Sequence, residues 1–176
     1  MDARSAAGRE RRMTTAALFG LSVLMSFLAF GTVTKLYIWP RLRIMPREDA
    51  LMALVAPHTF RFIGLSFLVP GVVSPSLSSD FAIPAAYGDF VAAMLALIAT
   101  WTLYARQTWA VGLVWVFNVW GSLDLLNAIY EGQIGVGIGP GSLGAAFYIP
   151  TVIVPALLIT HGLIFWMLLR PKRAAK

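Results

Sequence analysis

The sequence contains no cysteine, and it contains little charge for its length. The absence of cysteine excludes disulfide bonds, thiol catalysis and iron–sulfur or zinc sites held by thiolates, but it says nothing about the compartment. Charged residues make up 12% of the 176 residues and hydrophobic residues 59%, well outside the average for soluble domains. The long gaps between charges therefore decide the fold class.

Residues 13–34 are uncharged, and no charged residue stands between Glu131 and Arg170. A bilayer core of roughly 30 Å needs about 20 apolar residues in a helix. The sequence therefore predicts one all-α integral membrane domain over residues 1–176, a bundle of five transmembrane helices. The predicted spans cover approximately residues 13–34, 49–73, 84–105, 109–130 and 145–169.

Turn-forming residues set the predicted ends of these spans. Pro84 suits a helix start, where its missing N–H costs nothing. The segment from Gly132 to Gly144 is so rich in glycine that it predicts a loop. Pro150 and Pro155 predict kinks in the fifth span.

The placement of Lys and Arg predicts the orientation, because cytoplasmic loops carry an excess of both. The loop from Lys35 to Arg47, the turn at Arg106 and the C-terminus are basic, whereas the loops from Ser74 to Ile83 and from Glu131 to Gly144 have neither residue. We therefore expect a multi-pass protein of the bacterial inner membrane with a cytoplasmic C-terminus. The basic N-terminal tail then lies outside, against the rule, so the alternative is four spans plus one re-entrant or interfacial segment.

Polar residues within the spans need an explanation, because a charge at the centre of a membrane helix costs roughly 2.5 to 3.5 kcal/mol. We expect Arg61 to pair with Asp89 or Asp124, since buried charges are tolerated when paired. A proton or cation path and a carboxylate site for a substrate are the alternatives. The predicted buried polar cluster comprises Arg61, Asp89, Asp124, Asn127 and Glu131, the last three on one helical stripe with Trp120.

Three further residues of the fourth span are candidate ligand-binding residues. Trp115 and Trp120 lie deeper than the aromatic residues expected at the membrane interfaces, and Asn118 is a polar residue between them. Packing in the core of the bundle is the simpler explanation of the two tryptophans.

His58 and His161 are the two histidines of the chain, and they lie at similar depths in the second and fifth spans. Two imidazoles at equal depth are candidate metal ligands, for a haem or for a chlorophyll-type pigment. Hydrogen-bonded histidines in a helix bundle are the simpler interpretation, and the sequence predicts no cofactor.

Three classes of function remain. A non-catalytic membrane subunit or accessory protein is favoured by small size and by the pairs of small residues Ala16 with Gly20 and Ser22 with Ser26, which permit close helix contact. The alternatives are a small transporter or proton or cation conduit, and a membrane enzyme or pigment carrier with a lipid-like or redox substrate. The expected partners are membrane lipids and a second copy or another membrane protein. The net charge of +6 favours lipid head groups, and nucleic acid is not implied.

Overall fold

Five helices, each long and apolar enough to cross a membrane, form the structure, a computed structural model that describes residues 14–170. The predicted helical class is confirmed for this part of the chain, in which every regular element is a helix. The basic tail before residue 14 and the basic residues after Arg170 lie outside the described residues. The helices are α1 (Thr15–Ile44), α2 (Arg47–Leu68), α3 (Ser79–Tyr104), α4 (Ala110–Gly135) and α5 (Ile149–Leu169).

Helix α1 runs through much of the loop that the charges predicted. It passes Lys35 in a π-helical turn, Thr34–Ile38, and ends at Ile44, because Met45 precedes a proline and takes an extended conformation. The basic side chains in this stretch are exposed, so the helix continues past them without burying a charge. The connection to α2 is correspondingly short.

Helix α2 changes its geometry half way. It begins as an α-helix and continues as a 3-10 helix over Ala56–Leu68. The buried residues of this segment are His58, Arg61, Gly64 and Phe67, which recur at every third position. A 3-10 helix has three residues per turn, so these four side chains line up on one face, whereas an α-helix would spread them around its axis.

Helix α3 begins before Pro84, the predicted start, because a cap precedes it. The side chain of Ser78 accepts a hydrogen bond from the backbone N–H of Asp80, and the carboxylate of Asp80 lies in the first turn, where it complements the helix dipole. Pro84 thus lies inside the helix. Because α3 begins one turn earlier than predicted, its polar residue described below lies closer to the middle of the helix.

Helix α4 also continues beyond its predicted end, through a π-helical turn, Glu131–Gly135. A 3-10 helix, Pro140–Phe147, then leads to α5. Gly144 in this segment has a φ of 54°, and a Cβ there would lie 3.2 Å from the carbonyl carbon of Val72. Glycine therefore permits the close approach of the 3-10 segment to the connection between α2 and α3.

Alanine residues let the helices approach closely at the centre of the bundle. Helix α3 lies between α2 and α4, and Ala86, Ala92, Ala96 and Ala99 on it have no exposed surface. Two apolar cores result, one at each end of the bundle. The part of α1 before its π-helical turn, Thr15–Val33, has no buried residue and packs on α5. Phe19 in this part contacts Phe147 of the preceding 3-10 helix at 5.7 Å between ring centroids.

Candidate functional site

Arg61 joins α2 to the three helices that follow it. Its side chain is 1% exposed. Nε donates a hydrogen bond to Oδ1 of Asp89 at 2.7 Å, Nη2 donates to Oδ2 of Asp124 at 2.6 Å, and Nη1 donates to the carbonyl oxygen of Gly121 at 3.0 Å. Nη1 also lies 3.4 Å from Nε2 of His161 on α5. Arg61 therefore pairs with both candidate carboxylates.

The three charged residues lie at one level of the bundle. At 1.5 Å per residue, Asp89 is about 15 Å from the start of α3 and Asp124 about 16 Å from the end of α4. Arg61 is about 14 Å from the end of α2, because a 3-10 helix rises about 2.0 Å per residue. The predicted spans put the carboxylates nearer the helix ends, since they began α3 at Pro84 and ended α4 at Tyr130.

Three glycines make room for this cluster. A Cβ on Gly64 would lie 2.6 Å from Cβ of Asp89, and one on Gly88 would lie 2.7 Å from Cγ of Asp124. A Cβ on Gly121 would lie 2.8 Å from Nη1 of Arg61. Real Cβ atoms do not approach other atoms so closely, so each glycine is required for the observed contacts.

Asn118 and His161 extend the cluster towards α5. The amide nitrogen of Asn118 donates to the carbonyl oxygen of His161, so its Oδ1 accepts from Nδ1 of His161 at 2.7 Å. Nε2 of that neutral ring is then the acceptor that faces Nη1 of Arg61. Both ring nitrogens of His161 therefore have a hydrogen-bond partner.

His58 lies beside this chain of hydrogen bonds. The hydroxyl of Thr160 donates to the carbonyl oxygen of Leu157, so it accepts from Nε2 of His58 at 2.8 Å. Nδ1 of His58 is buried and has no partner among the described residues. A buried acceptor without a donor is uncommon and marks this point as less well satisfied than the rest of the cluster.

The two histidine rings touch each other directly. Their centroids are 4.3 Å apart with an angle of 56° between the planes. A haem held by both would require a metal and a macrocycle between the rings, with one nitrogen of each ring directed at the iron. His161 instead directs Nε2 at Arg61, and the contact leaves no space for a porphyrin between the rings.

The other predicted site residues lie apart from Arg61. Asn127 is exposed, and Glu131 lies at the π-helical end of α4 against Gly135. Trp120 is 47% exposed, whereas Trp115 is partly buried against Phe165. The predicted polar stripe therefore contributes Asp124 alone to the cluster, because the apolar residues of α4 determine which face is buried.

The charges of the cluster do not balance. Arg61 carries one positive charge, and Asp89 and Asp124 carry two negative charges when both are ionised. The remaining carboxylate oxygens, Oδ2 of Asp89 and Oδ1 of Asp124, receive no hydrogen bond from the described part of the chain. The cluster can thus accept one more proton, cation or hydrogen-bond donor.

A cavity of about 310 Å³ lies against the two carboxylates. All five helices contribute to its walls, which are apolar except at Asp89, Asp124 and Gln133. The cavity extends from the carboxylates to the glycine-rich segment after α4, where Pro140 and Leu143 line it. Its volume falls at the lower end of the range for small-molecule sites, about 300 to 1,000 Å³.

Parts of this site could not be expected from the charged residues alone. The glycines, Thr160 and the contact between the histidines depend on how the helices approach one another. One signal was present in the sequence, because His58, Arg61, Gly64 and Phe67 recur with a period of three. That period indicates a 3-10 helix and places Arg61 and a glycine on one face.

The comparisons with known proteins identify a family but no activity. No curated protein and no solved structure matches the chain. The family model described as a domain of unknown function, DUF8737, matches residues 18–169, which include all residues of the cluster. The chain therefore belongs to the DUF8737 family.

Proposed function

We propose that the chain is an integral membrane protein that crosses the membrane five times. The outward faces of the helices support this, since large apolar side chains such as Leu24, Phe60 and Leu123 are more than half exposed. Apolar surface on this scale is unfavourable in water and is favourable against lipid. The paired charges lie inside the bundle, as membrane helices require.

The proposed location is the bacterial inner membrane, with the C-terminus in the cytoplasm. The connections from α1 to α2 and from α3 to α4 lie at the same end of the bundle, where Arg106 forms ion pairs with Asp49 and Glu48. The connections at the other end, residues 69–78 and 136–148, contain no Lys or Arg. The basic end is the one expected in the cytoplasm.

We propose a non-catalytic role for this membrane protein, as an accessory subunit or carrier that holds one small lipophilic molecule in the cavity beside Asp89 and Asp124. The observation that carries the proposal is the cavity itself, because the helices leave a space of about 310 Å³ beside Asp89 and Asp124. Its apolar walls favour a lipophilic ligand, and the carboxylates supply directed polar contacts.

The cluster supports a binding role better than catalysis. Arg61, the most buried charged residue among residues 14–170, uses each of its side-chain nitrogens to join helices, and His161 is bonded at both ring nitrogens. These groups are fixed by neighbours on other helices. Such a network gives a rigid wall to a binding site, whereas a general acid or base needs a group free to reach a substrate.

Helix α1 supports the accessory role. Its residues Thr15–Val33 include no buried residue, and a Cβ added at Gly20 would meet no atom within 4 Å. Ala16 and Gly20 on this exposed side permit a close contact with a helix of a second copy or of another membrane protein. The mass of the purified protein–detergent complex tests this assembly, and Gly20→Leu is expected to weaken it.

The binding proposal is tested with a neutral lipophilic probe, 1-naphthalenemethanol, added to the purified protein in nanodiscs. We expect saturable binding that is lost in Ala128→Phe, because Ala128 lines the cavity and a phenyl ring fills it. Val116→Phe is the matched control, since Val116 is on the same helix, is 56% exposed and does not line the cavity. Equal binding by both variants would contradict the proposal.

A proton or cation conduit is the second candidate, favoured by the second carboxylate beside a single arginine. Such a role requires protons or cations to cross the membrane past the two carboxylates. Proteoliposomes with a pH-sensitive dye inside test it. A conduit would give an ion flux that Asp124→Asn abolishes, whereas the binding proposal expects wild type and variant to be equally tight.

A further inference from the structure

The cavity has an acidic end and an aromatic wall. Asp89 and Asp124 lie at one level in it, and four phenylalanines from three helices contribute to its lining: Phe19, Phe27, Phe67 and Phe81. The faces of aromatic rings attract cations, and carboxylates attract them more strongly. Both kinds of wall therefore favour a positive charge on the molecule inside.

The charge count of the cluster also favours a cation. Asp89 is 8% exposed, and its Oδ1 receives the hydrogen bond from Nε of Arg61, which also binds Asp124 through Nη2. One guanidinium thus serves one buried and one partly buried carboxylate. Removing an unbalanced charge from water is costly, and a positive group placed in the cavity would balance it.

The composition of the walls selects an organic cation over a metal ion. Hard metal cations need several oxygen ligands, about six to eight for Ca²⁺. No group of three or more His, Asp or Glu side chains suitable for a metal occurs among residues 14–170. An ammonium group needs fewer partners, and its apolar part can occupy the remaining volume.

We propose that the ligand of this cavity is a lipophilic amine with one positive charge, whose ammonium group contacts Asp124. This inference rests on the proposed binding function and adds the charge of the ligand to it. The ammonium donates to the carboxylate of Asp124, which lines the cavity, while the hydrocarbon part lies between the phenylalanines. Gln133, which also lines the cavity, offers a further acceptor to an elongated ligand.

A matched pair of probes tests the charge separately from the binding. We would measure 1-naphthylmethylamine and 1-naphthalenemethanol, which share the same ring system, against the wild-type chain in nanodiscs made of neutral lipid. We expect the protonated amine to bind at least about tenfold more tightly than the alcohol, as for a desolvated charge pair. The preference is expected to fall by about the same factor in Asp124→Asn, while binding of the alcohol is unchanged.

The control is Glu131→Gln, which removes a carboxylate from the same helix but from outside the cavity lining. It is expected to retain the preference for the amine. Equal affinity of the wild-type chain for amine and alcohol would overturn the cation inference and leave the binding proposal intact. Absence of saturable binding of both probes would overturn the binding proposal itself. Because the wild-type comparison needs no variant, the inference is testable even when Asp124→Asn does not fold.

Discussion

The carboxylate of Asp124 occupies the space that a side chain at Gly88 would fill. Its Cγ lies 2.7 Å from the position of a Cβ at residue 88, and Asp89 is placed in the same way against Gly64. Both carboxylates therefore reach Arg61 only because the facing residue is glycine. The glycines are as necessary to the cluster as its charges.

Gly88→Ala is expected to destabilise the protein. The added methyl group must displace Asp124 from Arg61, and breaking a buried charge pair costs about 3 to 5 kcal/mol. Gly112→Ala on α4 is the control, because a Cβ there meets no atom within 4 Å and alanine favours the helix. Thermal unfolding in detergent measures both. A similar unfolding temperature for the two variants would contradict the conclusion that Gly88 leaves the space occupied by the Asp124 carboxylate.

Arg61→Leu is expected to be among the most damaging single substitutions, since it leaves two carboxylates buried without a counter-charge. Replacing both carboxylates by asparagine in the same chain should recover part of the loss, because it removes the unpaired charges. Arg106→Leu is the control, since Arg106 is 55% exposed and such pairs contribute little. If Arg61→Leu unfolded at the wild-type temperature, the cluster would not stabilise the bundle.

The contact between His58 and His161 leads to a spectroscopic prediction. Because the rings lie against each other and His161 is bonded at both nitrogens, we expect protein purified from haem-supplemented cells to lack a Soret band. The spectrum of the His161→Ala variant is the control. A Soret band in the wild-type protein that is lost in this variant would show that the histidines separate to hold a haem.

The proposed orientation is tested by single cysteines, which are simple to interpret because the chain has no cysteine of its own. An impermeant maleimide is expected to label Ser76→Cys in intact spheroplasts and Gln107→Cys only after lysis, since the two exposed residues lie in turns at opposite ends of α3. The reverse pattern would place the basic end of the bundle outside.

The sequence was sufficient to predict five apolar helices and the association of Arg61 with carboxylates. The first follows from the spacing of charges and the second from the cost of an unpaired charge in an apolar bundle. The helix ends were less predictable. Lys35 remains in α1 because its side chain is exposed, and the cap at Ser78 extends α3 beyond the point marked by Pro84.

The detailed geometry of the site required the packing of the helices. Asn127 and Glu131 share a helical stripe with Asp124, but the buried residues of α4, such as Gly121 and Leu125, are centred to one side of that stripe, so Asp124 stands at the edge of the buried face. The cavity is likewise a property of five helices together. A sequence pattern along one helix identifies which residues share a face, but it does not identify which face the neighbouring helices cover.

Photolabelling with a diazirine-bearing long-chain alcohol, in membrane vesicles with and without excess unlabelled alcohol, tests the central claim most directly, because it locates a lipophilic molecule on the chain. Leu125 is 2% exposed and lines the cavity, whereas Leu123 and Leu126 on the same helix are 61% and 55% exposed on its outer faces. We predict labelling of Leu125 that the excess alcohol suppresses, together with labelling of Leu123 and Leu126 that it does not. Labelling confined to the two exposed leucines would contradict a binding site inside the bundle.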